Sequence, residues 1–195
     1  TGGFTTGGFT TGGNAGAGGS ESTTPVAGLA IRKVSLYQTV EIPLMRDWEE
    51  ITDRPADVSQ NKEALLRIFV ERQSGWTTRD VRAMVEIASS SGTVTLTAEE
   101  AIRRDSTDDD LDSTLNVDIP ATALTGDATY SVSLVEVGAS SGTGDATRAR
   151  WPETGSASIG ERGLGGGLII HLVPIRYDAD GDRKSTRLNS SHVSQ

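Results

Sequence analysis

The stretch Val81–Thr97, VRAMVEIASSSGTVTLT, decides the fold. Val81, Ala83, Val85 and Ile87 place an apolar side chain at every second position, with Arg82 and Glu86 between them. Side chains alternate across a strand with that period, so the segment predicts a strand with one face on a core and one in water. Ser90-Ser91-Gly92 has the composition of a tight turn, and Val94-Thr95-Leu96-Thr97 resumes the alternation. Two half-buried strands joined this way form an antiparallel hairpin.

The same pattern extends in both directions. Upstream, Ala64–Glu71 puts Leu66, Ile68 and Val70 on one face and Leu65, Arg67 and Phe69 on the other; apolar residues on both faces predict a central strand. In Leu29–Leu44 the alternation slips between Ile31 and Val34, which predicts a bulge at Arg32-Lys33, and Pro43 interrupts a second extended piece. Downstream, Ala98–Arg104 (AEEAIRR) is rich in helix formers but too short to bury a face, so it reads as a loop or a single turn. Leu115, Val117 and Ile119 alternate again, as does Tyr130–Val137, and Ser156–Gly160 reads as a closing strand. Short strands separated by Gly, Ser and Asp turns, without long helices between them, predict an all-β antiparallel sandwich.

One segment sharpens the architecture. Ile119–Leu134 (IPATALTGDATYSVSL) resembles the crossing between the fifth and sixth strands of immunoglobulin-like and fibronectin III-like sandwiches, where a Leu, a Gly turn and a Tyr form the tyrosine corner. The resemblance implies structural roles for three residues: Leu124 plugs the end of the core, Gly126 permits the turn, and the Tyr130 hydroxyl satisfies a backbone group. The change of composition at Ala27 and the run of strands that follows put the β-sandwich domain at residues 27–161.

The flanks have a different composition. Residues 1–26 begin with repeats of TTGGF and decay into Gly, Ala and Ser, which predicts a disordered Gly/Thr-rich tether with Thr residues open to O-glycosylation. Residues 162–181 contain the run Gly163–Gly167, read as a hinge, and Leu168–Tyr177, the most apolar stretch of the chain. That stretch is either the first strand of a following domain or the last strand of the sandwich. Residues 182–195 open with DRKSTRLNSSH, which resembles a sequencing adapter translated in one frame, so we expect the natural sequence to end near Gly181 and the chain to be a piece of a longer reading frame. Setting that tail aside removes His192 and the triplet Asn189-Ser190-Ser191. Losing three basic residues and one acidic residue takes the formal net charge from −9 to −11.

An acidic chain without a basic stripe argues against nucleic acid and anionic membranes as partners. Cysteine is absent, so no disulfide framework or thiol chemistry is available, and no apolar run is long enough to insert in a membrane. Asp178-Ala179-Asp180-Gly181-Asp182 looks like the start of a calcium loop but lacks the closing Glu and reads as a turn. Asp108, Asp109, Asp110 and Asp112 read as a solvated loop, and His171 has no neighbouring ligand that would make a metal site. Trp48, Trp76 and Trp151 are either loop plugs or, if clustered, a stacking platform for a glycan or peptide. No catalytic triad, phosphate-binding loop or HExxH motif occurs, so the expectation is no catalytic residue, no metal, no cofactor and no enzyme activity.

The phrases Val34–Met45, Lys62–Val70 and Val173–Gly181 resemble the N-terminal region of large secreted or lipid-anchored myxobacterial-type proteins, some of which are similar to mucinase-type zinc metallopeptidases further along. This resemblance implies a non-catalytic, monomeric module of the cell surface or extracellular space, acting as spacer, adhesion or interaction domain toward a protein or glycan. The alternative it implies is an accessory domain N-terminal to a secreted zinc metallopeptidase.

Overall fold

The central hairpin forms as the alternation requires and lies in one of the two larger sheets. The computed structural model describes residues 23–138 and 142–162. In it β6 (Arg79–Ser89) and β7 (Gly92–Ile102) pair antiparallel from Arg79↔Ile102 to Ser89↔Gly92, with Val81, Ala83, Val85 and Ile87 buried. The pairing runs five residues beyond Thr97, so Ala98–Ile102 is strand and not the loop or single turn its helix formers suggested. Hydrogen bonds from β6 decide the conformation there, because a propensity of a few tenths of a kcal/mol per residue cannot outweigh a completed ladder.

The remaining strands are β1 (Leu29–Tyr37), β2 (Glu41–Arg46), β3 (Glu49–Glu50), β4 (Val58–Ser59), β5 (Ala64–Arg72), β8 (Leu115–Ile119), β9 (Thr129–Glu136), β10 (Arg150–Trp151), β11 (Ala157–Ser158) and β12 (Glu161–Arg162). One sheet has the order β3-β2-β1-β5-β8 and the other β10-β9-β6-β7, with β11 also on β9; β4 and β12 form a short parallel pair. All pairings within the two larger sheets are antiparallel. Among the described residues helical structure is confined to three single 3-10 turns. The chain is therefore an all-β sandwich.

Its core is the meeting of the two inner faces. Ile31, Val34 and Leu36 of β1, Leu66, Ile68 and Val70 of β5, and Leu115, Val117 and Ile119 of β8 pack toward Val81, Val85, Ile87, Val132 and Leu134. Each such side chain contributes about 1.5–3 kcal/mol by leaving water. The bulge in β1 lies at Arg32, where the register against β5 shifts between Ile31 and Lys33, and this keeps both Ile31 and Val34 buried. Pro43 is accommodated at a second irregularity, opposite Ser35. β5 is central, as its two apolar faces require, with β1 and β8 on either side.

The sandwich starts earlier than residue 27. Val26 N–H donates to Leu134 O at 3.0 Å, Glu136 N–H donates to Thr24 O at 2.9 Å, and Val26 is fully buried. Thr24–Val26 therefore extends the second sheet along β9 before the chain crosses at Gly28 into β1, and the reading of these three residues as tether is corrected. The apolar Val26 side chain, placed beside a core with an opening for it, outweighs the polar context in which it is embedded. By contacts the chain divides into units Thr1–Gly165 and Gly166–Gln195. Residues 1–22, the stretch Leu168–Tyr177, His171, the acidic turn at Asp178–Asp182 and the tail 182–195 lie outside the described residues.

Candidate functional site

Three polar clusters stand out against this frame. The first is the corner between β8 and β9. A 3-10 turn, Ala121–Ala123, brings Leu124 into the core, where it is fully buried, and Ala128 N–H closes the next turn onto Thr125 O at 2.9 Å. Gly126 does not occupy the left-handed region, and an added Cβ would stand 2.5 Å from the amide nitrogen of Gln60, the end of a flexible side chain that can move aside. Tyr130 is 1 % exposed, and its hydroxyl accepts a hydrogen bond from the Trp151 indole N–H of β10 at 3.1 Å. The partner is thus a side chain on the next strand, in place of the upstream backbone group expected from the tyrosine-corner pattern. Burial pushes the Tyr130 phenol well above its ordinary range, and the Trp151 hydrogen bond only partly opposes this.

Trp151 in turn meets Trp48 edge to face, ring centroids 5.8 Å apart and planes at 84°. Trp48 and Asp47 form the turn between β2 and β3, both at positive φ (67° and 51°). A bulky residue held there costs about 1–2 kcal/mol. The offsetting gains are the Trp151 contact and the Trp48 indole N–H, which donates to Ile31 O at 2.9 Å. Trp76 is elsewhere: its N–H donates to Ile102 O at 3.0 Å and its ring lies 3.8 Å from the Arg79 guanidinium. Among the described residues Trp48 and Trp151 are the only ring pair in contact, edge to face, and all three indole N–H groups are spent inside the fold.

The second cluster closes the end of the sandwich where β6 begins. Arg79 donates from Nε and one terminal nitrogen to the two oxygens of Glu136, both at 2.8 Å, and also to Ala27 O at 2.7 Å. Glu136 is 2 % exposed and accepts further bonds from the Gly142 and Ala27 amides. Burial alone would raise its carboxyl, but the Arg79 and backbone hydrogen bonds outweigh that and hold it below the usual range. The entering chain, β6 and the segment after β9 are thereby tied to a single carboxylate.

The third lies on the outer face of the first sheet. Lys33, Ser35 and Tyr37 of β1 pair in register with Phe69, Arg67 and Leu65 of β5, so their side chains share that face, and Glu41 of β2 sits opposite Tyr37. The connection from β7 to β8 folds over them. Arg67 donates to Asp108 O at 3.1 Å, Thr107 O at 3.5 Å, Asp110 O at 3.2 Å and Thr114 Oγ1 at 3.3 Å. Lys33 Nζ contacts Asp108 Oδ1 and lies 3.1 Å from Glu41 Oε1 and 3.9 Å from the Phe69 ring centroid. Its side chain is 6 % exposed. The hydrogen bond from Lys33 holds the Asp108 carboxyl below its ordinary range; Glu41, raised by burial, is brought down further by Ser35 and Lys33.

The acidic loop is solvated and also tied to the fold: Asp109 and Asp112 are exposed, while Asp108 pairs with Lys33, Asp110 with Arg104, and the preceding Asp105 with Arg72. Among the described residues no three His, Asp or Glu side chains come together in a way that could hold a metal ion, and no helix is long and apolar enough to cross a membrane. Sequence patterning marked Leu124, Gly126 and Tyr130, and the structure gathers them at one corner. Sequence patterning did not mark Lys33, Arg67, Arg79 or Glu136; Arg67 offered a signal, a charge between the apolar Leu66 and Ile68, whereas Arg79 stands between the polar Thr78 and Asp80 and offered none. Neither family models, curated proteins nor solved structures give a match to this chain.

Proposed function

We propose that this chain is a non-catalytic, immunoglobulin-like module of a larger secreted or surface protein, serving as spacer, adhesion or interaction domain. The observation that carries the reading is where its reactive-looking groups are spent. Three indole N–H groups, the Arg67 and Arg79 guanidinium groups and the Asp105, Asp108 and Asp110 carboxylates all bond within the framework. Side chains so engaged stiffen the ends and one face of a sandwich instead of lining a cleft. The immunoglobulin-like assignment draws support from the strand order: with the β2–β3 hairpin set aside, β1-β5-β8 faces β7-β6-β9-β10, and the β8–β9 corner carries Leu124 and Tyr130.

The test is an assay of the purified chain against peptidase, glycosidase and esterase substrates, together with arrays of glycans and extracellular matrix proteins. The expected result is no turnover; saturable binding on the arrays assigns adhesion, and its absence assigns a spacer. Turnover abolished by a single substitution in the chain overturns the reading. Reading the gene on either side separates it from the peptidase-accessory alternative, which requires a downstream HExxH motif.

A further inference from the structure

We propose that Lys33 and Asp108 join in an intramolecular isopeptide bond, with Glu41 as the proton carrier. Three observations place the groups for it. The Lys33 side chain is 6 % exposed, and its nitrogen contacts Asp108 Oδ1 and lies 3.1 Å from Glu41 Oε1, so amine, acceptor carboxyl and a second carboxyl meet at one point. Asp108 is not a freely moving surface acid, although its carboxylate is 69 % exposed. Arg67 holds the carbonyls of Thr107, Asp108 and Asp110, while Ser106 is bound to Val70 through both its amide and its hydroxyl and Ser113 Oγ accepts from the Thr107 amide. Glu41 is oriented by the Ser35 hydroxyl at 2.8 Å.

The reaction is a condensation. Glu41 relays a proton from the Lys33 ammonium to the Asp108 carboxylate, the freed amine attacks Cγ of the now neutral acid, and an N–C bond forms as a C–O bond breaks. The proton delivered to Asp108 and a second, carried by Glu41 from the nitrogen, leave with the departing oxygen as water. Ammonium plus carboxylate yields amide plus water, so atoms and charge balance without an oxidant, activating nucleotide or other reactant. Amide formation from free amines and acids is poor in water. Groups held in register behave as if at effective concentrations of about 10⁵ M or more, and this shifts an intramolecular balance toward the amide. The exposed side of Asp108 gives the water a way out, while Phe69 and Arg67 close the Lys33 side.

Intact-mass spectrometry of the purified chain tests the bond directly. The expected mass is lower than that of the sequence by one water, and proteolysis should give a branched peptide joining Lys33 to Asp108. Lys33→Met and Asp108→Ala should restore the full mass, and Glu41→Gln should show the full mass when fresh and lose water slowly or not at all. Full mass in the unaltered chain after prolonged incubation overturns the proposal. So does a water loss that persists in Lys33→Met, which identifies a succinimide at an aspartate. The mass and peptides of the unaltered chain distinguish these outcomes even if a variant fails to fold.

Discussion

Tyr130→Phe isolates a single hydrogen bond at the β8–β9 corner. The ring is retained, so no cavity forms; what is lost is the oxygen that accepts from the Trp151 indole at 3.1 Å. Trp151 is 8 % exposed, so its N–H is left with little access to water. One lost hydrogen bond is worth about 1 kcal/mol, and a stranded buried donor raises that toward about 3 kcal/mol. We expect a loss of about 1–2 kcal/mol, or about 4 °C in Tm for each kcal/mol in a domain of this size. Urea unfolding followed by tryptophan fluorescence measures it, and a double-mutant cycle with Trp151→Phe should return a coupling of about 1 kcal/mol.

A pH series adds a second reading of the same bond. The phenol ionises higher in the folded than in the unfolded state, because burial opposes the charged form. Above about pH 10 the unfolded chain therefore binds fewer protons than the folded one, and stability falls as pH rises. The contribution is fully present below that pH, and Tyr130→Phe lacks it, so the difference between the two proteins should shrink in alkali. A neutral substitution with no coupling to Trp151 would refute the role assigned to the hydroxyl.

Glu136→Gln should cost about 3 kcal/mol, since it leaves the Arg79 guanidinium without its counter-charge in a nearly closed site. Because the Glu136 carboxyl titrates lower when folded, its contribution is present above about pH 4 and lost as pH falls through the folded value, so the variant should show a flatter acid limb in a thermal-melt series. Gly28→Ala should cost about 1–2 kcal/mol in chemical denaturation, because φ is +77° and the new Cβ would meet Thr143 O at 3.1 Å. Removing residues 1–22 should leave Tm unchanged, whereas removing 1–26 also takes the buried Val26 and should cost about 2 kcal/mol or more; equal melting of the two truncations would count against the early start of the sandwich.

What could be read from the sequence is what depends on side-chain period alone. β5, β6, β8 and β9 were legible because a half-buried strand must alternate, and the β1 bulge because Ile31 and Val34 can both be buried only if the register slips. Ala98–Ile102 was misread because its composition favours a helix and only the β6 partner, nearly twenty residues upstream, makes it strand. Thr24–Val26 was hidden for a related reason: two hydrogen bonds to β9, from residues about a hundred positions away, give it its structure. The polar clusters were beyond reach because Lys33 and Asp108, or Arg79 and Glu136, are distant in sequence and meet only through the topology. Tyr130 was marked with a backbone partner, and the side-chain partner Trp151 was out of reach, since nothing local links the two.

The clusters share one consequence, which concerns how the chain enters the domain. Thr24–Val26 lies on β9 at Leu134–Glu136, next to β10 at Val132–Ser133 and β11 at Thr129–Tyr130, so three short pieces tile one side of a single strand. After the crossing at Gly28 the chain joins the other sheet as β1. Between Ala27 and Lys33 the chain is tied to three separate places: Arg79 donates to Ala27 O, Trp48 donates to Ile31 O, and Lys33 pairs with Asp108 and Glu41. A chain stretched from its two ends carries load at this entering strand. Backbone pairing alone resists that load one hydrogen bond after another when a strand is peeled from its end, whereas side-chain ties from other elements must yield together with it. Covalent closure at Lys33 would fix the strand a few residues inside the crossing, leaving the Arg79–Glu136 pair and the Thr24–Val26 ladder as the parts that open first. Under force, Glu136→Gln should therefore lower the first yielding event, and Lys33→Met the separation of β1 that follows it.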